Sequence, residues 1–95
     1  MSAETAARIR EILAARFDIH ALEIEDDSAL HAGHAGARAG GGHYRVFIVS
    51  PAFEGCSRVL RQRMIYDALG DMMKKEIHAL AIRALSAAEA IKQAH

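Results

Sequence analysis

Six histidines and a single cysteine are the side chains best able to do chemistry in this 95-residue chain. Imidazole changes charge near neutral pH and is a common metal ligand. His31 and His34 stand in His-x-x-His spacing within residues 28–42, a run that holds five of the seven glycines and has no helical period. Without cysteines or further histidines at finger spacing, the pair is a weak zinc signal. A flexible polar loop and a ligand-bearing loop fit it equally. His78 falls among Ile77, Leu80 and Ile82. From the residues alone it reads first as a half-buried histidine bonded to backbone, and second as a ligand. His43 opens a strand and reads as structural, or as the support of a neighbouring ligand; His20 and His95 read as solvated. Cys56 follows Gly55 near a helix start, where the helix dipole favours a thiolate. An ordinary small residue in a turn is still its first reading.

Other chemistries find little support. No nucleophile–base–orienter set and no phosphate loop is visible, and Glu23 and Glu25 alternate outward as solubilising residues, so an enzyme is not expected. Gly33-His-Ala-Gly36 spells the GxxG clamp of RNA-binding KH domains. It lies between two strands rather than at the helix junction that clamp requires, and reads as coincidence. Arg58, Arg61, Arg63, Lys74 and Lys75 give the central helical region a local positive excess. A solvated face is the first reading, a partner-contacting surface the second and a DNA-phosphate stripe the third. Twelve basic residues balance twelve acidic ones, so the chain lacks the overall positive field that drives non-specific nucleic-acid binding. One cysteine permits no internal disulfide and argues against an oxidising compartment. The first twenty residues lack a continuous apolar h-region, and no apolar run is long enough to cross a bilayer. The expectation is a cytoplasmic protein with no membrane partner.

The elements that must position these residues follow from periodicity. Ile9, Ile12, Leu13 and Phe17 recur at helical spacing, predicting a helix over 3–17 with Ser2 as N-cap. Residues 21–26 alternate apolar and acidic, predicting a half-buried strand with Leu22 and Ile24 inward. Residues 43–50 are rich in β-branched and aromatic side chains, predicting a second strand that pairs with the first across the glycine-rich run. Pro51 and Gly55 mark a turn, with Ser57 placed to cap a helix. A helical period through Val59, Leu60, Met64, Ile65, Ala68, Leu69, Met72 and Met73 is strained near 61–63. We read it as a short helix followed by a longer one over about 61–74. Residues 77–85 predict a third strand. Ser86-Ala-Ala-Glu89 is a capping box opening a last helix. The order αββααβα, with three strands and helices on one face, is an α+β two-layer sandwich in a single domain spanning 1–95.

Several of these pieces together resemble the BolA family. Asp26-Asp-Ser-Ala-Leu-His31 resembles its acidic strand exit ending in histidine, and His43-Tyr-Arg-Val-Phe-Ile-Val-Ser50 its central strand. Phe53-Glu-Gly-Cys-Ser57 with Arg61-Gln-Arg-Met-Ile-Tyr66 resembles its helix-turn-helix signature, and Ile77-His-Ala-Leu-Ala-Ile82 its C-terminal histidine strand. Gln62 stands where family members often carry histidine. The resemblance runs from about residue 6 to 89. It implies a fold similar to the class II KH domain and binding to a monothiol glutaredoxin through a bridging [2Fe–2S] cluster. The family's strand histidine falls on His78 and its loop ligand on His31, with His34 as near neighbour. This loop has no cysteine, so the chain looks like the histidine type.

A [2Fe–2S] cluster takes four protein-side ligands, usually thiolates. One cysteine cannot supply them, so such a cluster would be shared: imidazoles from this chain, thiolates from the glutaredoxin and its glutathione. The expected site is therefore His78 with His31 or His34, in iron–sulfur trafficking or iron homeostasis. The alternative implied by the resemblance is a DNA-binding transcriptional regulator using Arg58, Arg61, Arg63 and Lys74. The free chain is expected to be a monomer or weak homodimer.

Overall fold

The computed structural model describes residues 2–27 and 42–94. Helix α1 (Ser2–Arg16) leads into β1 (Ala21–Asp26) and β2 (Gly42–Val49). A short 3-10 turn (Pro51–Phe53) precedes α2 (Arg58–Leu69), and a second one (Gly70–Lys74) precedes β3 (Ile77–Leu85) and α3 (Ala87–Ala94). The three strands form one mixed sheet in the order β1-β2-β3, with β1 antiparallel and β3 parallel to β2. The expected α+β order therefore stands, with one change among its helices. The pair read as a short helix and a longer one over about 61–74 is a single α-helix starting at Arg58. It ends at Gly70, whose φ of 53° and backbone N–H donated to the Tyr66 carbonyl close it. Glycine takes that left-handed conformation without a Cβ penalty, so it stops the helix where a periodic apolar pattern would continue it. At the other end the Ser57 hydroxyl accepts the Leu60 N–H at 3.1 Å, the cap the sequence indicates.

The core lies between the sheet and the helices on one of its faces. Ile9 and Leu13 of α1 and Ile65, Ala68 and Leu69 of α2 pack with Tyr44, Val46 and Ile48 of β2 and with Phe53. Residues in register share a face in a parallel pair, so Leu80, Ile82 and Ala84 join Tyr44, Val46 and Ile48 on this side. The opposite face carries Glu23, Glu25, Arg45, Ala79, Ala81 and Arg83, all exposed. There the Arg83 guanidinium sits 5.9 Å from the Phe47 ring centre.

One irregularity decides what the start of β3 presents. Gly42 pairs with Ile77 but His43 pairs with Ala79, so β3 carries one extra residue, His78. The bulge breaks the alternation. Ile77, 2% exposed, joins the core, while His78 next to it is exposed. In unbroken alternation His78 would share the inward face of Leu80 and Ile82.

Candidate functional site

At the bulge, the rings of His43 and His78 come together, with centroids 5.2 Å apart and planes inclined by 51°. The backbone beneath them is tied on both sides. The Gly42 N–H donates to the Glu76 carbonyl at 2.8 Å, and the Asp27 N–H donates to the His43 carbonyl at 2.7 Å. Glu76 also accepts from Arg8 of α1 at 2.5 Å, joining the turn before β3 to the helix layer. On the other side, Asp27 accepts from Arg45 at 2.9 Å. The pair thus stands on strands rather than on a loop, which fixes a site more closely.

His31 and His34 lie outside the described residues. The chain leaves those residues at Asp27 and re-enters at Gly42, immediately before His43. Of the sequence-level candidates, then, the structure brings His78 together with His43, the residue read only as a support. The missed signal was parity: Ile77 is out of step with Leu80 and Ile82, and that break is the bulge. The described residues contain no group of three or more His, Cys, Asp or Glu able to hold a metal ion. Their donor set here is two imidazoles, which suits a group completed by other ligands.

A second feature lies at the far end of β3, roughly 16–20 Å away for five to six residues of strand. A cleft of about 600 Å³ opens between the start of α2, the end of β3 and α3, lined among others by Cys56, Arg58, Arg61, Arg83 and Glu89. Arg61 does not belong to an open basic stripe. Its residue is 9% exposed, and its guanidinium donates to the carbonyls of Cys56 and Ala84, both at 2.9 Å, and to Glu89 at 2.6 Å. The Glu89 carboxylate also accepts the Ser86 N–H at 2.8 Å, while the Ser86 hydroxyl accepts the Glu89 N–H at 3.3 Å. The predicted capping box is therefore present, and Arg61 fastens it to α2. The Arg61 hydrogen bond, then that from the Ser86 backbone, holds the Glu89 carboxyl down at about 2. Arg58, Arg63, Lys74 and Lys75 are exposed. Cys56 is half-buried in the cleft wall, its thiol 3.6 Å from the Ala52 carbonyl, at the opposite end of β3 from the histidines.

A small α+β protein with a mixed three-stranded sheet and a histidine pair at one sheet edge is the class the structure defines. The family model described as BolA-like protein matches residues 13–89, and the chain belongs to the BolA family. It is 48% identical over 87 residues to SufE-like protein 1, chloroplastic/mitochondrial, of Arabidopsis thaliana, covering 86% of this chain and 24% of that protein. The solved BolA domain of that plant protein superposes with a TM-score of 0.78 at 46% identity, covering 88% of this chain and 93% of the domain. BolA-like protein 1 of Mus musculus is 37% identical over 83 residues, with 87% of this chain and 58% of that protein covered. The DNA-binding transcriptional regulator BolA of Escherichia coli is 39% identical over 75 residues, with 79% and 69% covered. The chain thus spans about a quarter and under three-fifths of the length of the plant and mouse relatives.

Proposed function

We propose that this chain is a binding partner, not a catalyst, that shares a [2Fe–2S] cluster with a monothiol glutaredoxin and its glutathione. His78 would be one ligand and His31, or His34 in its place, the other. The observation that carries the reading is the bulge, which turns His78 out of the core beside the point where the segment bearing His31 and His34 rejoins the sheet. Two imidazoles in place of thiolates remove negative charge from a cluster and raise its reduction potential, as they do in Rieske centres. Cluster chemistry of that kind, used for iron–sulfur trafficking or iron sensing, accords with a relative named SufE-like protein 1. The cytoplasmic setting read from the single cysteine belongs to the proposal as well; the name of the plant relative refers to organelles, and no helix of the described residues is long and apolar enough to cross a membrane.

Adding the chain to cluster-loaded glutaredoxin should change the visible absorption and circular dichroism, and His78→Ala should abolish the change. An unaltered spectrum with the wild-type chain, or an intact change with the variant, rejects the proposal.

A second reading, DNA binding, is favoured by the name of the Escherichia coli relative and by the exposed cations Arg58, Arg63 and Lys74. Arg61, bonded inward, would act only by holding that surface in shape. Binding of duplex DNA that weakens steeply with salt, and weakens again in Arg58→Ala with Arg63→Ala, is the expected result. A gel shift at moderate salt with no complex removes this reading.

A further inference from the structure

The open face of the sheet is built from residues that neither the cluster nor the DNA reading uses. Its side chains fall into cross-strand rows, because residues directly opposite each other share a face. One row runs Glu23–Phe47–Arg83 and the next runs Glu25–Arg45–Ala81. The charges are sorted by strand. Those of β1 are all carboxylates, whereas the guanidiniums stand on β2 and β3. Arg45 donates to Asp27 at 2.9 Å, and Arg83 lies against the half-buried Phe47 ring and donates to Gln93 of α3. Glu23 and Glu25 are exposed and form no hydrogen bond or ion pair among the described residues. The helices that build the core, α1 and α2, lie on the other side of the sheet, and α3 only borders this face at Gln93.

Such a face is complementary to itself. A two-fold axis running along β2, between two stacked sheets, lays β1 of each copy over β3 of the other and keeps every row level. Glu23 of one copy then meets Arg83 of the other, twice. Glu25 lands over Ala81, whose small side chain leaves the carboxylate room to reach Arg45 in the same row. The two Arg45 side chains near the axis are each drawn to carboxylates, Asp27 of their own chain and Glu25 of the other copy. Phe47 meets Phe47 on the axis, with the Arg83 guanidiniums beside the rings. An axis across the strands would instead stack β1 on β1, carboxylate on carboxylate, which repulsion opposes. Stacked sheets lie about 10 Å apart, a gap that facing Glu and Arg side chains bridge.

We propose that this face binds a second copy of the chain, forming a symmetric sheet-on-sheet dimer held by two Glu23–Arg83 pairs around Phe47. Strands about 4.8 Å apart make the face only roughly 15 Å by 20 Å, well short of the roughly 800 Å² per partner of a standard interface. The dimer is therefore weak, with a dissociation constant on the order of 0.1 mM, and salt weakens it further by screening its charge pairs. It involves neither the histidines nor the cleft, so it stands or falls apart from the cluster proposal.

Sedimentation equilibrium of the full chain is the test. The wild type should pass from monomer to dimer across that concentration range, and less readily at high salt. Glu23→Arg and Arg83→Glu should each weaken association at least tenfold by setting like charges against each other. Mixed in equal amounts, the two variants should pair with each other about as well as the wild type does with itself, since opposite charges then meet at both places. Misfolding of either variant could not produce that rescue. In the wild type, the amide signals of Glu23, Phe47 and Arg83 should shift with concentration while those of α2 stay fixed. A chain that remains monomeric at millimolar concentration, single variants that associate as the wild type does, a mixture that fails to pair, or shifts confined to α2 or the cleft would each overturn the dimer.

Discussion

At the scale of single residues, Arg61 shows how a charged side chain can serve as core material. It occupies the first position of the buried stripe that continues through Ile65, Ala68, Leu69 and Met72. In the sequence the periodic pattern begins at Val59 and Leu60, which are 69% and 43% exposed. Apolar type misled there because periodicity weighs hydrophobicity and not the availability of hydrogen-bond partners. Only the structure shows two carbonyls and the Glu89 carboxylate converging on the guanidinium. The same bonds set a pH dependence. Glu89 titrates at about 2 in the fold against its ordinary 4.5, so the folded state binds this proton more weakly than the unfolded chain. Its contribution to stability is complete above the ordinary value and is lost as pH falls towards about 2. Glu89→Gln should therefore flatten the fall of the thermal midpoint across that acid range relative to the wild type, measured by circular dichroism melts. Parallel curves for the two proteins would mean that the Arg61–Glu89 contact does not hold in solution.

At the scale of elements, the strands were legible because each has a clear cause. β1 alternates, β2 is a β-branched and aromatic run, and the residues of β3 stop at a capping box that must start a helix. The helix boundary at Gly70 was equally written in the chain but outweighed by Met72 and Met73, whose spacing continues the period into the 3-10 turn. The bulge was harder to read. It follows from competition between Ile77, which gains by burial, and regular pairing, which would place it outside. Neither side of that balance is visible without knowing what β2 puts opposite. Gly42 is the partner of Ile77 there, and it has a specific reason to be glycine. A Cβ on it would lie 2.4 Å from Cε2 of the Tyr44 ring and 2.7 Å from its Cζ and hydroxyl. Tyr44 is 4% exposed and packed in the core, so the ring has little room to withdraw. Gly42→Ala is expected to destabilise by about 1–3 kcal/mol, as overpacking does. The measurement is urea unfolding; a wild-type midpoint in the variant would show that Tyr44 rotates away freely.

For the whole molecule, β3 has a different attachment at each end. Its start carries the histidine pair, tied to α1 through Glu76 and to β2 through Gly42. Its end carries the Arg61–Glu89–Ser86 network that joins α2 to α3. What could be read from sequence divides along the same line. The Ser86–Glu89 box follows from local capping chemistry, whereas His78 is singled out by the family's strand motif. His43 reads in the sequence as structural or as a support, and Arg61 as part of a basic face, because the contacts that define them, His43 with His78 and Arg61 with Ala84 and Glu89, span long sequence separations. Sites roughly 16–20 Å apart on one strand, with no shared side chain, should act independently. Arg61→Met should destabilise by about 2 kcal/mol, since it strips two carbonyls and a carboxylate of their donor. His78→Ala, an exposed change, should cost less than about 0.5 kcal/mol. Denaturant unfolding of the double variant should equal the sum of the two within about 0.5 kcal/mol. A larger coupling would mean that β3 transmits strain between its ends. The network around Arg61 would then help set the spacing of the histidines at the other end of the strand.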